Sequence, residues 1–172
     1  MSYHYQEEGA RFLAARRFAL IADEQGVGKT RQLILGCQAI GATRPLIVCP
    51  AIARRNWARE WNRWWPDARP LAVLEDGTAV PPQAGGAVVS FDYARVHRLQ
   101  LNAAGPWDVL IIDECHAVKS PETGRSQALL GRAGIVRHAR RCWCASGTPM
   151  PNHPEELWPL LRVAGVTDME FA

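Results

Sequence analysis

Short apolar runs alternate along the chain with longer segments whose apolar residues recur at helical spacing. Phe18–Ala22, Leu46–Cys49, Leu71–Leu74, Ala87–Phe91, Val109–Ile112 and Cys142–Ala145 are uniformly apolar or nearly so, the pattern of short strands buried on both faces. Between them, Tyr3–Arg16, Lys29–Ala42, Ala51–Trp65, Tyr93–Ala103, Gly124–Ala133 and Pro154–Val163 read as helices; in the first, Ala10, Leu13 and Ala14 form one stripe beside Phe12. This alternation predicts an α/β fold, a mainly parallel sheet with helices on both faces. The stretch Glu75–Gly86, with Pro81, Pro82, Gly85 and Gly86, reads as a surface loop. Trp57, Trp61, Trp64 and Trp65 stand at i, i+4, i+7 and i+8, a helix packing stripe rather than a stacking platform for bases.

At 172 residues, 48% apolar and 22% charged, the chain reads as one compact domain, residues 1–172, with a real core. No apolar run approaches the roughly 18 residues of a membrane span, and the N-terminus lacks signal-peptide character. The expectation is an unexported chain, cytoplasmic or nuclear, with no membrane partner. Five cysteines without a Cys-x-x-Cys pair argue for reduced, buried thiols and against a zinc ribbon. Net charge +3 permits an anionic partner without requiring one. All but two of the 20 basic residues are Arg, so Lys29 and Lys119 stand out.

Lys29 lies in a Gly-rich turn. The run Asp23-Glu24-Gln25-Gly26-Val27-Gly28-Lys29-Thr30 follows the first apolar strand and opens a helix. Glycines there let successive backbone N–H groups face one anion, and the helix N-terminus adds partial positive charge. Lys29 can reach β- and γ-phosphates, and the Thr30 hydroxyl can ligate Mg2+. The general phosphate-loop motif has Gly where Asp23 stands. A second acidic motif, Asp113-Glu114-Cys115-His116, follows the strand Val109–Ile112. Asp113 suits magnesium and Glu114 suits polarising a water, an arrangement for hydrolysis rather than transfer to a substrate hydroxyl.

With these motifs placed, the chain resembles the Swi/Snf-type DNA translocases, a branch of the superfamily-two helicase-like ATPases. Five collinear segments carry the resemblance. Tyr5-Gln6-x-x-Gly9-x-x-Phe12-Leu13 resembles the Q-motif region, Asp23 to Thr30 resembles motif I with its Asp, and Leu46 to Ala51 followed by Asn56-Trp57 and Glu60 resembles motif Ia. Asp113 to His116 followed by Lys119 resembles motif II, with Cys115 where Ala is commonest. Ser146-Gly147-Thr148-Pro149-x-Pro151-Asn152, then Pro154-Glu155-Glu156-Leu157-Trp158, resembles motif III and its following helix.

The resemblance implies a RecA-like lobe that binds Mg2+ and ATP. Gln6 would read adenine; Glu24, Gly26, Val27, Gly28, Lys29 and Thr30 would hold the nucleotide; Thr30 and Asp113 would hold the metal. His116, Ser146, Gly147 and Thr148 would couple the γ-phosphate to the rest of the motor, although plain loop capping explains Ser146 and Thr148 equally well. Arg54, Arg55, Asn56, Ser90 and Lys119 are candidate contacts to the backbone of double-stranded DNA; for the two arginines a solvated helix face fits as well. The family's second RecA-like lobe, with its motifs IV to VI, is expected in cis or in trans and is not in this sequence. Two alternatives stay open: a non-hydrolysing nucleotide-binding module that docks on a separate lobe, and the helicase lobe of a restriction or phage nuclease system.

Overall fold

The computed structural model describes residues 3–75, 78–148 and 158–164. Expectations for residues 149–157, including Pro149, Pro151, Asn152 and Pro154–Leu157, lie outside the described residues. Six strands, β1 (Phe18–Ile21), β2 (Pro45–Cys49), β3 (Ala72–Val73), β4 (Ala87–Ser90), β5 (Val109–Asp113) and β6 (Cys142–Ala145), form one sheet in the order β1-β6-β5-β2-β4-β3. Every pairing is parallel. The helices are α1 (His4–Ala14), α2 (Lys29–Ala39), α3 (Arg54–Trp64), α4 (Phe91–Val96), α5 (Arg98–Ala104), α6 (Gly124–Leu130) and α7 (Trp158–Val163).

Alternate residues of the central strands feed two cores, as the period of two requires. Ile47, Val88, Val109 and Ile111 face Leu13, Leu33, Ile34, Trp57 and Trp61 of α1, α2 and α3. Leu46, Val48, Val89, Leu110 and Ile112 face Tyr93, Leu101 and Leu129 of α4, α5 and α6. Helix α1 lies close on α2 because Gly9 has no side chain: a Cβ there would stand 1.9 Å from Gln32 Oε1.

Several expected bounds shift. The helix expected over Tyr93–Ala103 is two, α4 and α5, meeting at His97, whose backbone (φ −103°, ψ 26°) is not helical. Helix α4 also starts earlier, at Phe91, because the Ser90 hydroxyl accepts the Tyr93 N–H at 3.0 Å. The helix from Gly124 ends at Leu130, where Gly131 turns extended, and a separate 3-10 turn covers Ile135–His138. Strand β3 has only two residues at the sheet edge.

Strand order decides where chemistry can gather. The loops that leave β1, β6 and β5 emerge side by side at one sheet edge, with Ile21 and Asp113 both in register with Ala145. Ligands of open α/β sheets collect at such carboxyl ends.

Candidate functional site

The loop after β1 turns on two glycines in left-handed conformation, Gly26 (φ 84°) and Gly28 (φ 81°), where a Cβ would be strained. Gly28 caps α2, an 11-residue helix whose N-terminus therefore faces the loop's concave side. Lys29 Nζ donates to the carbonyls of Asp23 (3.0 Å) and Glu24 (2.8 Å), so its ammonium lies across the mouth of the loop. The Asp23 carboxylate is occupied elsewhere: it accepts Gln32 Nε2 at 2.8 Å, which ties the start of the loop to α2. This bond gives Asp23 a structural reason to stand where glycine is usual.

Gln6 is buried under the loop. Its Nε2 donates to the Val27 carbonyl at 3.3 Å and its Oε1 accepts the Tyr3 N–H at 3.3 Å. The Tyr5 hydroxyl donates to the same Val27 carbonyl at 3.1 Å. Gln6 thus braces the loop in this structure, a bond the adenine expectation did not include. An open cleft of about 830 Å³ beside it is lined by Tyr5, Gly9, Phe12, Asp23, Val27 and Gln32.

Two strands away from β1, at the same carboxyl end of the sheet, Asp113 ends β5. Its Oδ2 accepts the Trp57 indole N–H at 2.8 Å and its Oδ1 accepts the Glu114 N–H at 3.1 Å. Burial pushes the Asp113 carboxyl above its ordinary range; the Trp57 N–H and, more weakly, the Glu114 N–H and the Lys29 ammonium oppose that shift. Glu114 holds a left-handed backbone (φ 53°, ψ 52°), uncommon for a residue with a side chain and costing on the order of 1 kcal/mol or more. Its carboxylate meets His116 Nδ1 at 3.3 Å.

The loop after β6 closes the group. Ser146 is fully buried, its N–H donates to the Ile21 carbonyl at 3.1 Å, and its Oγ lies 3.1 Å from His116 Nδ1. The Thr148 N–H donates to the same Oγ at 3.1 Å. Gly147 must be small: a Cβ would stand 2.6 Å from Gln25 Cγ and 3.5 Å from Lys29 Nζ. The structure therefore brings Gly26, Val27, Gly28, Lys29, Thr30, Asp113, Glu114, His116, Ser146, Gly147 and Thr148 to one edge, from three adjacent strands.

The candidate nucleic-acid residues are placed differently from one another. Arg54 is committed internally, with Nη1 donating to the Leu74 carbonyl at 2.7 Å and Nε to the Ala51 carbonyl at 3.2 Å. Arg55 is 86% exposed, with a loose 3.5 Å contact to Glu75. Asn56 is exposed and takes a bond from Arg59. Ser90 is occupied as the cap of α4, and Lys119 follows the 3-10 turn Cys115–Val118. The tryptophan stripe splits: Trp57 and Trp61 are buried, Trp64 and Trp65 only partly.

Trp57 is the site residue that periodicity does not reveal. Its burial was legible in the stripe, but the demand of a buried indole N–H for an acceptor was the usable signal.

The donor set fits a magnesium nucleotide. A lysine, a helix N-terminus and a loop in which Gly147 leaves room next to Lys29 suit phosphates. Among the described residues no cluster of three or more His, Cys, Asp or Glu could hold a metal alone. Thr30 and Asp113 would share a cation with phosphate oxygens and water, which is how Mg2+ is usually bound.

An all-parallel sheet with this Gly loop after β1 and an Asp-Glu pair after β5 defines a RecA-like P-loop domain. Residues 5–169 match the SNF2-related domain, and the chain belongs to that family. It is 33% identical over 158 residues to the SWI/SNF-related matrix-associated actin-dependent regulator of chromatin subfamily A-like protein 1 of Xenopus tropicalis, covering 90% of this chain and 16% of that protein. It is 34% identical over 170 residues to the DNA annealing helicase and endonuclease ZRANB3 of Homo sapiens, covering 90% and 15% respectively. Among solved structures, the Sulfolobus solfataricus SWI2/SNF2 ATPase core in complex with double-stranded DNA shares the fold with a TM-score of 0.76 at 22% identity, covering 93% of this chain and 35% of that one. The chain thus spans about one sixth of the curated relatives it matches. Among the described residues no helix is long and apolar enough to cross a membrane.

Proposed function

We propose that residues 1–172 form the ATP-binding lobe of a motor that hydrolyses ATP to track along double-stranded DNA. The observation that carries this reading is the meeting of Lys29, Asp113, Glu114 and Ser146 at one sheet edge, on loops from adjacent strands. The names of its relatives, an annealing helicase among them, and the DNA-bound Sulfolobus core support it.

In this reading the N–H groups from Gly26 to Lys29 and the Lys29 ammonium bind the phosphates, the ammonium exchanging two carbonyl partners for them. Gln6 and the cleft beside Tyr5 take the base. Thr30 and Asp113 would hold Mg2+, which would neutralise phosphate charge and so ease attack on the γ-phosphoryl. Glu114 accepts a proton from the attacking water. Its carboxylate already meets His116, which touches Ser146, so a proton gained there alters the contact to the loop after β6. Arg55 and Asn56 are the exposed contacts for DNA phosphates, binding independently of base sequence.

A second RecA-like lobe, in cis or in trans, supplies the arginines that complete the site. Such arginines contribute roughly 10³–10⁵ in rate, so the lobe by itself turns over slowly. The test is phosphate release from Mg-ATP with and without duplex DNA, with Glu114→Gln as blank. Release above the blank that rises with DNA supports the reading. ATP bound but never hydrolysed, even with a second lobe added, would identify a non-hydrolysing nucleotide-binding module instead.

A further inference from the structure

We propose that Trp57 is the positioning residue of the magnesium site. Its indole N–H, on the helix that follows β2, sets the orientation in which the Asp113 carboxylate meets the cation. This rests on the reading of Thr30 and Asp113 as the residues that hold Mg2+.

The two buried tryptophans of α3 are alike in packing and unlike in polarity. Both are 1% exposed. Trp61 Nε1 donates to the Arg69 carbonyl, at 3.3 Å and eight positions away, which ties down a neighbouring loop. Trp57 Nε1 reaches across 56 positions to one atom, Asp113 Oδ2, at 2.8 Å. If packing were all that position 57 required, a phenylalanine or leucine would fill it without an N–H to satisfy.

The chemistry explains why a neutral donor is used. Asp113 is partly buried, and burial raises the cost of its charge. An arginine or lysine at that distance would stabilise the charge but also cancel it and repel Mg2+. The indole N–H stabilises the carboxylate without cancelling its charge. The Glu114 N–H fixes the other oxygen at 3.1 Å, so the carboxylate plane is set by one donor from α3 and one from its own loop. Each oxygen keeps a lone pair free. Donors that orient the ligands of a metal are typically worth about 10–100-fold in metal affinity.

The test is equilibrium binding of a fluorescent ATP analogue to the 172-residue chain, titrated with Mg2+ and repeated in EDTA. Trp57→Phe is expected to raise the Mg2+ concentration for half-maximal tightening by about tenfold or more, leaving affinity in EDTA unchanged. Trp61→Phe, a matched loss of an indole from the same helix, is expected to shift neither. If Trp57→Phe does not fold, β-(3-benzothienyl)alanine at position 57 keeps the bicyclic shape, replaces N–H by sulfur, and is expected to give the same shift. In an Asp113→Ala background, Trp57→Phe should have no further effect. An Mg2+ response unchanged by the loss of the Trp57 N–H, or equal shifts in the Trp57 and Trp61 variants, would overturn the proposal. A wild-type chain whose nucleotide affinity ignores Mg2+ would instead overturn the site reading beneath it.

Discussion

His116 Nδ1 lies 3.1 Å from Ser146 Oγ and 3.3 Å from Glu114 Oε2, so one imidazole nitrogen touches both the acidic loop after β5 and the hydroxyl loop after β6. Its contact with the carboxylate is a hydrogen bond when Nδ1 carries the proton, and Ser146 then serves as a second acceptor. Ser146→Ala removes that acceptor and also the partner of the Thr148 N–H. The expected outcome is Mg-ATP affinity within about twofold of wild type with DNA stimulation of phosphate release lost, since exchangeable hydroxyl and imidazole contacts suit a switch. Weaker nucleotide binding with stimulation intact would assign Ser146 to the nucleotide instead.

The contact of α1 with α2 gives a stability prediction. Gly9→Ala places a methyl 1.9 Å from Gln32 Oε1, and Gln32 is both buried and bonded to Asp23. The overpacked variant should lose about 1–3 kcal/mol in urea unfolding. Adding Gln32→Ala should return part of that loss, because it removes the clashing atom.

Arg54 and Arg55 separate a structural arginine from a binding one. Arg54→Ala strips the Leu74 and Ala51 carbonyls of a charged donor and should cost about 1–2 kcal/mol of stability. Arg55→Ala loses only a loose ion pair and should change stability by less than about 0.5 kcal/mol. On duplex DNA it is Arg55→Ala that should weaken binding and lower the slope of log K against log salt by about 1. Equal DNA affinity for Arg55→Ala and wild type across salt would remove that contact.

All five cysteines are buried and unpaired. Burial, with the charge of Asp113, pushes the Cys49 thiol up to about 12, and Cys37 and Cys144 are also raised. A raised value keeps these groups protonated and unreactive at neutral pH, since only the thiolate attacks. Burial itself keeps the reagent from all five, so an aromatic disulfide reagent should label no cysteine in the native chain and all five in denaturant.

Much of this was legible in the sequence because apolar runs and helical stripes report burial directly. The parallel sheet, the Gly turn before α2 and the acidic pair after β5 all follow from local pattern. Strand order does not, since any of several parallel orders buries the same runs; the order that sets β6 between β1 and β5 is what brings Ser146 to Lys29 and Asp113. Hydrogen-bond partners far apart in sequence were equally invisible. Trp57 announced its burial but not its acceptor, and Arg54 looked as available as Arg55 until its guanidinium was found on the Leu74 carbonyl. The break at His97 shows the limit of a stripe that continues through a non-helical residue.

The most direct measurement of the central claim is equilibrium binding of Mg-ATP to the wild-type chain and to Lys29→Ala. Removing the ammonium at the loop mouth should weaken binding by about tenfold or more, the value of a lost charged hydrogen bond, with circular dichroism unchanged. Undiminished affinity in a folded Lys29→Ala chain would contradict the account, because the phosphates would then lie somewhere other than this loop.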